Sequence, residues 1–125
     1  MNAISQALKG YAEHAVSTKS GRRSEYDVIA KVTQQLRDAA VKAKTDFPAF
    51  AAALHLNKRL WTALVVDVVD DENPLPDELK ARIVYLDNFT RHHTRRVLRE
   101  NASVLPLLEI NMAVLRGLKM EGPQT

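Results

Sequence analysis

Leu54–Val69 reads LHLNKRLWTALVVDVV, and its second half has the β-branched composition of a strand. How this run folds decides between a helical and a mixed architecture. At about 100° per residue, Leu60, Trp61, Leu64, Val65 and Val68 fall within an arc of about 140°, which is a helical face. Val66 and Val69 carry apolar character around the other side, and only Lys58, Arg59, Thr62 and Asp67 keep the segment wet. A helix that is apolar almost all round is a central, buried one, and no partner strand is apparent elsewhere. Asn57 is read as the N-cap of this helix, which runs from Lys58 to about Val69. The preceding TDFPAFAAALHL (Thr45–Leu56) then forms a shorter helix, capped by Thr45 or Asp46 with Pro48 in its first turn. One continuous kinked helix over Asp46–Val69 is the alternative. Trp61, the single tryptophan, turns inward and is expected to anchor the core.

Toward the N-terminus, Tyr26, Ile29, Ala30, Thr33, Leu36, Ala40 and Ala43 recur at helical spacing. They define a long amphipathic helix from Ser24, its N-cap, to about Thr45, with Asp27 completing a partial capping box. STKSGRRS (Ser17–Ser24) reads as a loop with Ser20 and Gly21 as breakers. Before it, Ile4, Ala7, Leu8, Tyr11 and Ala15 mark a short, weakly held helix, expected to pack over a groove and to shift when a partner arrives. Toward the C-terminus, DDENPLP (Asp70–Pro76) is an acidic loop. A helix follows to about Arg99, with Leu79, Ile83, Leu86, Thr90, His93 and Val97 on one face. The last helix starts after Ser103, holds Pro106 in its first turns and ends near Arg116–Lys119, where positive charge suits a helix C-terminus. The expectation is a compact all-α bundle of five or six helices with short loops, one domain over 1–118 and a disordered tail over 119–125.

Composition narrows the function classes. The 125 residues are 46% hydrophobic and 26% charged, as in ordinary globular proteins. The absence of cysteine excludes disulfides, thiolate catalysis and cysteine-based metal sites. No secretory signal is expected, because Lys9, Glu13 and His14 interrupt the first residues. No apolar run reaches the roughly 18 residues of a membrane span. A net charge of +3 permits acidic or nucleic-acid partners without requiring them.

The four histidines, His14, His55, His92 and His93, form no HExxH and no i,i+4 pair. No glycine-rich phosphate loop or nucleophile elbow is present either, so the chain is expected to be no enzyme and to hold no metal, cofactor or small-molecule substrate. His93 projects onto the apolar face as a hydrogen-bonded core histidine. Arg91, Arg95, Arg96 and Arg99 share the opposite side. They are either a solvated face or a contact surface for an acidic protein or RNA, and no aromatic residue interleaves them to stack bases. In the last helix Val104, Leu107, Leu108, Val114, Leu115 and Leu118 share a face with Asn111 in its middle. Asn111 either fixes helix register or hydrogen-bonds a partner's backbone from a groove. Leu105 and Met112 make a second apolar edge, with Glu109 and Arg116 two turns apart on the polar side.

Three motifs in order, LHLNKRLW (Leu54–Trp61), NPLPDELKARIVYL (Asn73–Leu86) and PLLEINMAVLRGL (Pro106–Leu118), resemble the FlaF family of flagellar biosynthesis regulators of alphaproteobacteria. Thr90–Glu100 is more basic and histidine-rich than the family pattern. The resemblance implies a cytoplasmic, non-enzymatic protein that binds flagellin as an export chaperone and promotes flagellin synthesis. It also implies an alternative: post-transcriptional control of flagellin mRNA, directly or through an opposing repressor, FlbT. By motif position the partner-binding residues are Asn57, Arg59 and Trp61 in the first motif, and Glu109, Asn111, Met112 and Arg116 in the last.

Overall fold

The computed structural model of the chain describes residues 20–120. Among them there are four helices and no strand: α1 (Ser20–Val41), α2 (Phe47–Val68), α3 (Asp77–Glu100) and α4 (Leu105–Met120). Each is packed on its neighbours in chain order, and α4 closes the ring against α1, so α1 and α3 stand on one diagonal and α2 and α4 on the other. The α3–α4 seam is the thinnest of the four. The segment expected as a helix over Ile4–Ala15 lies outside the described residues, as do residues 121–125.

The expected count of five or six helices is not matched by the four among the described residues, where the two elements expected over Thr45–Val69 are a single helix, the continuous alternative. Asp46 caps α2, its Oδ1 accepting the Ala49 N–H at 3.3 Å, and Pro48 sits in the first turn. From there the helix runs unbroken to Val68. Asn57 is therefore no N-cap; it lies mid-helix with 0% of its surface exposed. A local capping preference worth about 1 kcal/mol yields to the burial of Leu54, Leu60 and Trp61 on both sides of it. The other boundary shift is at α1, which begins at Ser20, so Ser20 and Gly21 are helical and Ser24 is no cap. Glycine in a helix costs only about 1 kcal/mol, too little to stop an amphipathic segment that buries a full face. The helix ends at Val41, and a tight turn closes with the Thr45 and Asp46 N–H groups on the Lys42 carbonyl.

The Asp70–Pro76 loop is shaped by its own side chains. The Asp70 carboxylate accepts the Glu72 N–H at 2.9 Å, and the Asn73 side-chain Oδ1 accepts that of Leu75 at 3.0 Å. Asp77 and Glu78 open α3 and Arg99 lies in its last turn, both favourable to the helix dipole. Asn101 stops α3 in the left-handed region at φ 58°. Ser103 then receives the Leu105 N–H on its hydroxyl at 3.1 Å and starts α4. The chain is still helical at Lys119 and Met120.

The core is two apolar clusters. Ile29, Val32, Leu60, Ala63 and Leu115 form one. Leu36, Phe50, Leu54, Val97 and Leu107 form the other. Three helices each place one polar residue between the clusters: Thr33 in α1, Asn57 in α2 and Asn111 in α4, all buried. The inner face of α3 is more polar still, with Asp87, Thr90, His93 and Thr94 buried.

Candidate functional site

The seven residues singled out by motif position separate into an interior group and a surface group. Asn57, Trp61 and Asn111 belong to the interior, with 0%, 2% and 1% exposure. Asn111 holds the centre. Its Oδ1 accepts the Trp61 indole N–H at 2.9 Å, and its Nδ2 donates to Asn57 Oδ1 at 2.7 Å and to Thr33 Oγ1 at 3.1 Å. The Thr33 hydroxyl in turn donates a hydrogen bond to the Ile29 carbonyl at 2.7 Å. All three hydrogen-bonding directions used by this amide are met by protein, so Asn111 ties α4 to α1 and, across the diagonal, to α2. Trp61 is a core anchor and Asn111 a register-fixing residue in this closed bundle. Asn57 Nδ2 is the one amide group of this layer without a partner.

Glu109, Met112 and Arg116 belong to the surface, and the fold brings them together. They line a groove between α1 and α4, formed by two adjoining depressions of about 270 and 370 Å³. Arg37, Met112 and Arg116 border both depressions, which makes them the shared waist of a single groove. Tyr26, Ala30, Gln34 and Leu115 extend one end and Leu105 and Leu108 the other. The walls are apolar where Leu105 is 56% and Met112 36% exposed, and cationic at the two arginines. Thr33 also lines the groove, so the surface site and the Asn111 layer share this residue. Arg59, half-buried on α2, is no part of this groove.

Arg37 was missing from the expected site. It lies in a segment whose polar side reads as solvated, and only the docking of α4 onto α1 turns it toward Met112, whose sulfur its Nη2 meets at 3.6 Å. Tyr26 was legible as a face residue of α1, but not as a groove wall.

The arginine face of α3 is half spent on intrahelical pairs. Arg91 Nε binds the buried Asp87 carboxylate at 3.1 Å and its Nη2 reaches the Thr62 hydroxyl at 3.4 Å. Arg96 pairs with Glu100 at 3.2 Å. Arg95 and Arg99 are the cations of that face without an ion pair among the described residues. His93 is buried, stacked on Phe89 at 5.5 Å, with Nε2 2.6 Å from the Ser103 carbonyl oxygen. It therefore braces the start of α4. Among the described residues no cluster of three His, Cys, Asp or Glu side chains is placed to hold a metal ion, and no helix is long and apolar enough to cross a membrane.

No curated protein and no solved structure matches the chain. A family model does: that of the flagellar protein FlaF matches residues 7–118. The match runs through all three motifs, the diagonal hydrogen-bonded layer and both walls of the groove. The chain belongs to the flagellar protein FlaF family.

Proposed function

We propose that this protein acts in flagellum biogenesis by binding flagellin, as an export chaperone that also promotes flagellin synthesis. The observation that carries this reading is the α1–α4 groove. A partly exposed Leu105–Met112 edge beside a depression on a helical bundle is the geometry that receives an amphipathic helix. Methionine in such a wall adapts to partners of differing shape. Flagellin termini are amphipathic helices that must not assemble before export, and a cover for their apolar faces meets that need. The interior Asn57–Trp61–Asn111 layer supports the groove from below rather than touching the partner.

The test is a mixing experiment with the purified full chain and purified flagellin. A stoichiometric complex that co-elutes at micromolar concentration is expected, and its absence would sink the reading. Met112→Glu, which places a charge in the apolar wall, should weaken the complex while leaving the helical content unchanged.

Control of flagellin mRNA, directly or through FlbT, is the second reading. Direct RNA contact draws support from Arg95 and Arg99, two arginines of α3 without carboxylate partners among the described residues. Binding of that kind falls steeply with salt. Absent or salt-insensitive binding to the flagellin leader would remove it.

A further inference from the structure

We propose that the α1–α4 groove selects an amphipathic helix carrying a carboxylate within its apolar face, and that Arg37 and Arg116 are the paired cations that receive it. This rests on the reading that the groove takes a partner helix, and it fixes the chemistry of that helix.

Three arginines of α3 neutralise themselves along their own helix: Arg82 on Glu78, Arg91 on Asp87 and Arg96 on Glu100. Arg37 and Arg116 have no such recourse. The residues three and four positions away are Gln34, Thr33, Ala40 and Val41 for Arg37, and Ala113, Met112, Lys119 and Met120 for Arg116. None is acidic. Among the described residues neither arginine forms an ion pair, and Arg37 meets a thioether sulfur, a weak acceptor that leaves its charge intact. Yet both arginines border both depressions, beside apolar residues Leu105, Leu108 and Met112.

An occupant that was wholly apolar would strip water from two cations and return nothing. A basic occupant would be repelled. A helix with one carboxylate among its apolar residues satisfies both walls at once, since arginine–carboxylate hydrogen bonds are charge-assisted and directional. The groove follows α1 from Tyr26 to Arg37, a length of about 17 Å or three helical turns. Glu109, the one acid lining it among the described residues, borders the Leu105 depression alone and sets a polarity: the carboxylate of the occupant is expected toward Arg37 and Arg116, not beside Glu109.

The experiment uses the full chain and three synthetic amphipathic helices that differ only in Glu, Gln or Lys at the centre of the apolar face. Binding is followed by fluorescence anisotropy. The Glu peptide is expected to bind about tenfold more tightly than the Gln peptide, with the Lys peptide weakest. The doubly substituted Arg37→Gln/Arg116→Gln chain, whose fold circular dichroism verifies, should lose that preference. Equal affinity for all three peptides, no binding of the Glu peptide, or a preference retained by the double variant would each overturn the proposal. Self-association that the double variant abolishes, without peptide binding, would assign the groove to a second copy and overturn it too. Flagellin is then added as competitor. Displacement of the Glu peptide supports both inferences, whereas no displacement with the Glu preference intact strikes the flagellin reading and leaves this one standing.

Discussion

The indole N–H of Trp61 donates to Asn111 Oδ1 at 2.9 Å, joining two residues 50 positions apart on diagonally opposed helices. Neither helix approaches the other along its backbone, so this bond and the Asn57–Asn111 bond carry the polar contact between α2 and α4. Removing Asn111 strands several buried groups at once. Asn111→Leu is expected to cost about 3 kcal/mol, because the Trp61 N–H and Asn57 Oδ1 lose their partners in the core. Trp61→Phe should cost about 1–2 kcal/mol, and the double variant less than the sum of the two. Urea denaturation by circular dichroism measures all three. Strict additivity would show that the bond does not couple the helices.

The arginines of α3 should separate sharply in stability. Arg91 holds a carboxylate that is only 4% exposed, while Arg95 and Arg99 hold none among the described residues. Arg91→Ala is expected to destabilise the fold by about 1–3 kcal/mol, since Asp87 is left buried and short of a charged donor. Arg95→Ala and Arg99→Ala should stay within about 0.5 kcal/mol of the parent. Equal effects at the three positions would contradict the pairing seen here.

Asp67 gives the fold a pH dependence. Burial, and then the nearby negative charge of Asp70, push its pKa above the ordinary carboxylate value of 3.8. The folded chain thus holds this proton more tightly than the unfolded chain. The resulting stabilisation is complete below the ordinary value and is lost as pH rises through the raised one. Asp67→Asn mimics the protonated form and is expected to be more stable than the parent at neutral pH. The gap should close in acid. Denaturation midpoints at neutral and acid pH test this, and a variant less stable than the parent at neutral pH would refute it.

Asn101 ends α3 at φ 58°, a conformation that asparagine tolerates and β-branched residues do not. Asn101→Gly should be neutral or mildly stabilising, whereas Asn101→Val is expected to cost about 1–2 kcal/mol. Thermal unfolding distinguishes them. The same melting temperature for both would mean that the turn relaxes out of the left-handed region.

The site was half legible for a reason seen at Asn57 and Asn111. Both asparagines lie on an apolar helical face, Asn57 between Leu54 and Trp61, Asn111 between Leu107 and Leu115. Asn111 was read from that face, and one of its two readings was a register-fixing bond. In the local chain Asn57 looks like a cap, an asparagine directly before Lys-Arg. The face it shares with Leu54 and Trp61 was the signal that it continues the helix. Groove residues Glu109, Met112 and Arg116 are near one another in sequence, so their shared side of α4 is legible there. The place of Arg37 is not, because it depends on a helix that begins 68 residues later.

By itself the sequence determined the all-helical class, the inward turn of Trp61, the acidic loop and the family, since each depends on periodicity, turn chemistry or a run of neighbouring residues. Tertiary structure decided that α2 is one helix, that Asn57, Thr33 and Asn111 share one hydrogen-bonded layer, and that Arg37 faces Met112 and Arg116 across a groove. These are contacts between residues distant in the chain. Local propensities of about 1 kcal/mol are outweighed wherever docking a helix buries a whole apolar face.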